Sequence, residues 1–346
     1  MKKQVEKNLD IKERETGLDI LRGIAVIFVL SVHFLYETKY YSTALAGKSM
    51  YLQAMLRNIF MICVPMFMTI TGYFNKEKLY NKKFFKKLFG VIVVWLFYSV
   101  IEFIYKNNNN MFNIKVLDFV NSILSFNACH YSWYINMYIG LFLLSPILNL
   151  AFDAMDQSQQ KRLIIVIVGI TLFSNVFNEI LGIGIIYPQW WSCIYPVAYY
   201  FIGKYINRYK PTFPKRKIIT TLIVINFALL IFVVLNSKGP VVNTGTETIG
   251  WNSLPNAINT VCVFLLFYDV KIKSKIISVP IKYISKLSLD IYLASSLIDI
   301  IVYKQILNLD NMTQQQIFPY YPIIISMTFT GSLLLGIIRT KLIKLR

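Results

Sequence analysis

Ten apolar runs follow one another along the 346 residues, at about 18–36, 58–74, 88–105, 133–152, 163–181, 190–206, 217–236, 254–270, 287–303 and 320–338. Each is long enough, or nearly so, to cross a hydrocarbon core about 30 Å thick as a helix rising about 1.5 Å per residue. In lipid every backbone amide needs a partner within its own segment, so such runs become helices. The expected fold is therefore all-α: a polytopic integral membrane protein of about ten transmembrane helices. Apolar residues make up 56% of the chain and charged residues 15%, a balance that excludes an ordinary soluble domain. No stretch between runs offers room for a soluble domain, so residues 1–346 read as a single membrane domain. The longest such stretch, roughly 106–132, is Asn-rich at Asn107 to Asn110 and amphipathic from Ile114 to Phe126, which suits an interfacial or re-entrant helix. Pro65 and Gly72 interrupt the second run and Pro196 the sixth. The first run holds Asp19 and Arg22 near its start and reads as an uncleaved span.

Charge orients the runs. Lys and Arg number 36 against 17 Asp and Glu, a net +19. Such an excess can signal nucleic acid, but here the cations sit in short loops between apolar runs, so the expected contact is membrane lipid and not nucleic acid. With the N-terminus inside, the inner segments hold 28 Lys and Arg and the outer segments 7. That bias predicts an N-in, C-in topology. Trp190, Trp191 and Trp251 then fall near outer ends, as interfacial aromatics do. Cys63, Cys129, Cys193 and Cys262 are scattered without CxxC spacing, so neither a metal site nor a disulfide framework is expected. No internal repeat of the kind that builds many transporters is visible.

Ionisable groups inside membrane helices are expensive and usually functional. Arg22 and His33 lie eleven residues apart on the first run. That is about three turns at roughly 3.6 residues each, so both side chains share one face, about 16 Å apart along the axis. Asp19, one turn before Arg22, extends the stripe. Arg22, near the inner boundary, suits a phosphate or carboxylate, a bridge to Asp19, or the inner headgroups. His33, in the outer half, can take a proton from a hydroxyl. The inner loop Asn75 to Lys87 is the densest cationic patch, with Lys83, Lys86 and Lys87 at its end. It serves topology and anionic lipid, or attraction of a polyanionic nucleotide. In the outer loop, His130 with Trp133, Tyr134 and Asn136 offers the aromatics and amides that suit a sugar. Glu102 and Asp299 lie toward outer ends and Asp290 toward the inner face.

Leu18-Asp19-Ile20-Leu21-Arg22-Gly23-Ile24-Ala25-Val26 followed by His33 resembles the opening of the membrane acyltransferase 3 family, whose first helix carries Arg, ten residues, then His. Further blocks resemble the same family: Val64 to Phe74, ending Thr71-Gly72-Tyr73-Phe74; the basic Lys82 to Lys87; Trp133-Tyr134 through Ser145-Pro146-Ile147-Leu148; and Lys286-Leu287-Ser288-Leu289-Asp290-Ile291-Tyr292-Leu293. Departures are Lys where the inner loop of relatives often has Arg, Gly90 where Pro is common, and Ser295 where relatives often have His. The resemblance implies an O-acyltransferase of the bacterial cell membrane. It would move an acyl group, usually acetyl, from cytoplasmic acyl-coenzyme A to a hydroxyl of an extracytoplasmic or lipid-linked surface glycan. On that reading His33, Arg22 and Asp19 carry catalysis, with His33 a general base or a transient nucleophile. Arg22, Lys83, Lys86 and Lys87 meet the acetyl-CoA co-substrate, and His130, Trp133, Tyr134 and Asn136 meet the glycan. A homo-oligomer is compatible with all of this. The competing expectation is an export factor for a surface polysaccharide or its lipid-linked intermediate.

Overall fold

The computed structural model describes residues 16–107, 115–173, 189–237, 250–307, 309 and 312–344. The expected Asn-rich run beyond Asn107, the start of the amphipathic segment at Ile114 and positions 174–181 of the fifth apolar run lie outside the described residues. Among those described, every regular element is helical. In chain order they are α1 Thr16–Glu37, α2 Gly47–Phe60, α3 Cys63–Phe74, α4 Lys82–Lys106, α5 Val116–Leu124, α6 Trp133–Ala154 and α7 Gln157–Thr171. There follow α8 Tyr195–Tyr209, α9 Lys215–Asn236, α10 Leu254–Phe267, α11 Lys275–Lys286, α12 Ser288–Ile300 and α13 Tyr321–Leu342, with short helical turns between some of them. Six are long and apolar enough to span a membrane: α1, α2 with α3, α4, α6, α9, and α13 with the turns before it. The remaining four apolar runs fall on α7, α8, α10 and α12, helices of 15, 15, 14 and 13 residues.

α1 is the hub. It packs against α2, α3, α10, α11, α12 and α13. Its apolar residues are buried along most of its length, from Leu18 and Leu21 through Val29 and Leu30 to Phe34 and Leu35. α9, by contrast, leaves Ile223, Val224, Phe227 and Leu235 exposed, the side a membrane helix turns to lipid.

Two features depart from the expected runs. The second does not begin near residue 58 but at Gly47, as α2, and turns at Met61 before α3. Polar residues hide this extension in the sequence, yet they are buried: Gln53 accepts from Gln314 Nε2 at 2.7 Å, and Arg57 donates to the Tyr41 hydroxyl at 3.2 Å. The basic stretch near 271–286, expected as a loop, contains α11, whose Ile276, Ile277 and Val279 are exposed beside its lysines. α5 is the amphipathic helix expected after the Asn-rich run, and none of its residues is buried.

α3 and α8 pack at backbone contact, and two glycines make that possible. A Cβ on Gly72 would lie 2.0 Å from the Tyr200 carbonyl oxygen, and one on Gly203 would lie 2.0 Å from that of Thr69. Small residues let membrane helices approach to backbone contact in this way. The pairing carries Lys204, next to Gly203, and Arg208, about one turn further along α8, to the end of α3.

Candidate functional site

α1 is unbroken from Thr16 to Glu37, so Arg22 and His33 share it as their spacing predicts. The two ends of the stripe have different surroundings.

At the first end, Ser285 of α11 ties Arg22 to Asp19. The Ser285 hydroxyl donates to Asp19 Oδ1 at 2.5 Å, and Arg22 Nη1 donates to Ser285 Oγ at 3.3 Å. The Arg22–Asp19 contact itself is 3.7 Å. Phe74 lies under the guanidinium, 4.8 Å from ring centroid to Cζ. Asp19 is buried beside Arg22.

Arg22 lines a cavity of about 390 Å³. Lys76, Glu77 and Lys87 stand at the same end. Glu77 Oε1 accepts from Lys87 Nζ at 2.5 Å. That ammonium holds the Glu77 carboxyl below the usual carboxylate range, so the contact persists on acidification until pH falls through the lowered value. Lys83 and Lys86 are exposed on α4 outside the lining. The cavity then becomes apolar, between Phe67, Ile70, Val91 and Phe142, and reaches Val29, Tyr134, Ile135 and Tyr292. Val29 is about one helical turn short of His33. The rings of Tyr134 and Tyr292 meet edge to face at 5.7 Å across this far end, and the Tyr292 hydroxyl is fixed on the Tyr131 carbonyl.

His33 stands beyond that aromatic wall. Its ring stacks on Tyr131 with centroids 3.5 Å apart, and the Tyr292 ring is 6.2 Å away. Its Nδ1 is buried without a hydrogen-bond partner and faces Asp299 Oδ2 at 4.0 Å. Thr328 donates to Asp299 Oδ1 at 2.9 Å, and the Tyr131 hydroxyl lies 3.0 Å from Asp299 Oδ2 and 3.2 Å from Glu37 Oε1. An imidazole with a buried carboxylate opposite one nitrogen is the arrangement of a general base and the group that orients it; such contacts run long before substrate tightens them.

His130 is half exposed, and its Nε2 lies 3.9 Å from Glu37 Oε1. Its ring is 5.2 Å from Tyr131, so both histidines flank the same tyrosine. Glu102 accepts from the His130 backbone N–H at 3.2 Å and from Ser296 at 2.8 Å, and pairs with Lys106 at 2.6 Å. Trp133 stacks on Trp251 at 4.4 Å, whereas Asn136 is exposed and Tyr134 lines the cavity. Of the four residues expected to meet a sugar, then, Tyr134 lines the cavity and the other three stay outside its lining. Tyr131 is not among the residues the sequence singles out. Nothing in its spacing marks it, and only the fold sets its loop, just before α6, against His33 of α1 and Asp299 of α12.

Residues 15–337 match the family model described as an acyltransferase domain. No curated protein and no solved structure matches the chain.

Proposed function

Because this chain belongs to the acyltransferase 3 family, and is thus a multi-pass membrane acyltransferase, we propose that it transfers an acetyl or similar acyl group from acyl-coenzyme A to a glycan hydroxyl across the bilayer. The donor comes from the cytoplasm and the acceptor is an extracytoplasmic or lipid-linked cell-surface glycan of a bacterium. We read the chain as ten spans, N-in and C-in, with α7, α8, α10 and α12 crossing beside the six longer helices. The observation that carries this reading is the cavity from Arg22, Lys76 and Lys87 to Tyr134 and Tyr292, ending about one turn from His33. A basic mouth suits a polyanionic donor, an apolar bore suits its thioester arm, and an imidazole beyond the bore suits an acceptor hydroxyl.

In the reaction His33 takes the proton of the hydroxyl as its oxygen attacks the thioester carbonyl. The C–O bond forms, the C–S bond breaks, and the departing thiolate recovers the proton from the imidazolium. Asp299 orients the ring and stabilises its charge once Nδ1 closes on Oδ2. Tyr292 and Tyr134 must turn aside for the carbonyl to reach His33.

The test is mass spectrometry of the surface glycan from cells making the wild-type chain, His33→Ala or Asp299→Asn at matched protein levels. His33→Ala should abolish glycan acylation, and Asp299→Asn should lower the transfer rate by about 10²-fold or more. Full acylation with His33→Ala overturns the assignment. Loss of the glycan itself, rather than of its acyl groups, overturns the transferase reading in favour of export.

A further inference from the structure

A second cavity, of about 340 Å³, adjoins the first and shares Asn75 and Lys76 with it. The shared rim is firmly held. Asn75 Nδ2 donates to Ser145 Oγ at 2.8 Å, Asn149 Nδ2 to the Glu77 carbonyl at 2.7 Å, and Asn207 Nδ2 to the Tyr73 carbonyl at 2.7 Å. Among the described residues, four cations line this cavity, Lys76, Lys78, Lys204 and Arg208, against a single acid, Asp153. Asp153 lies 2.8 Å from Lys78 and 3.2 Å from Arg208, but 3.9 Å from Lys204. One carboxylate thus serves three cations, and Lys76 adds a fourth positive charge to the wall.

Topology does not account for Lys204. A cation that only marks the inner face is solvated, whereas the Lys204 side chain is 10% exposed and lies over the Phe152 ring at 5.6 Å. Holding an ammonium there is costly unless an anion completes its surroundings. Arg208 beside it has the planar fork that takes phosphate oxygens in pairs.

We propose that this second cavity holds the phosphorylated nucleotide end of the acyl-coenzyme A, while the first takes the pantetheine arm and thioester. This rests on the acyl-coenzyme A reading above. The donor lies bent over the Asn75–Lys76 rim, phosphates on Lys204, Arg208 and Lys78, acyl carbon toward Tyr292. The exposed Lys83 and Lys86 of α4 take no part. The site therefore selects donors that carry a nucleotide over shorter pantetheine thioesters.

The test is calorimetric binding of coenzyme A, 3′-dephospho-coenzyme A and pantetheine to the full chain in detergent. Compared are the wild type, Lys204→Gln, Arg208→Gln and the charge-keeping Lys204→Arg, with a melting curve for each. Each Gln variant should weaken coenzyme A by about tenfold, the loss of one charge-assisted hydrogen bond, and narrow its margin over pantetheine. Lys204→Arg should keep most of the affinity. Folded Gln variants that bind coenzyme A as tightly as the wild type overturn the proposal and leave the acyl-coenzyme A reading standing. A wild type that binds no coenzyme A overturns both. The proposal also falls if the Gln variants lose only co-purified lipid from phosphatidylglycerol nanodiscs while coenzyme A affinity holds, since the cavity then seats a lipid phosphate.

Discussion

Arg339 illustrates how a single residue can mislead in the sequence. It stands where the charge pattern expects an inner-face cation, yet its Nε and Nη2 donate to both oxygens of Asp290 at 2.7 and 2.6 Å. Tyr98 donates to the same carboxylate at 2.9 Å, and the pair is buried. Gly336 permits this closeness: a Cβ there would lie 2.9 Å from that of Asp290. Removing one member of a buried pair leaves the other uncompensated, at a cost of about 3–5 kcal/mol. Arg339→Met should therefore lower the melting temperature sharply in detergent, and adding Asp290→Leu should recover part of the loss; equal instability of the single and double variants would count against a pairing role. Arg22 and His33 were legible because their spacing alone puts them on one face. Asp299 was visible as an acid but not as the partner of His33, since the chain between them carries no record of which helices touch.

At the scale of elements, the α3–α8 contact decides whether the two cavities share a rim. Gly203→Val puts a branched side chain where even a Cβ meets the Thr69 carbonyl oxygen at 2.0 Å, and backbone cannot step aside as a side chain can. Overpacking commonly costs about 1–3 kcal/mol. The variant should melt lower and bind coenzyme A more weakly, because α8 carries Lys204 and Arg208 away from Lys76. Gly90→Ala on α4 meets nothing within 4 Å and should melt like the wild type, which makes it the matched control. Apolar runs marked α1, α4, α6 and α9 well, since each is long and little interrupted. They missed most of α2, residues 47–57, and all of α11. Gln53, Arg57 and Asn58 satisfy or hide their polarity only through tertiary neighbours, and α11 mixes lysines and serines with its apolar residues, so no apolar run marks it.

The whole molecule carries its own reporter of orientation. Cys63, Cys129 and Cys262 are buried and Cys193 is exposed. With the N-terminus inside, Cys193 faces outward, so a membrane-impermeant maleimide should label intact cells, and Cys193→Ser should abolish the labelling. Labelling that appears only after the membrane is opened would reverse the topology. Composition and charge were enough for fold class, because lipid as solvent leaves helices as the only choice here; they say nothing of where two helices leave a gap between them. That gap has a consequence for the cell that houses it. A potential of 100 mV across a membrane is worth about 2.3 kcal/mol for each elementary charge that crosses. An open bore from Arg22 to the far side would be a short circuit. The paired rings of Tyr134 and Tyr292 stand across its far end, so under the proposed transfer they would hold ions back while an uncharged acyl group passes.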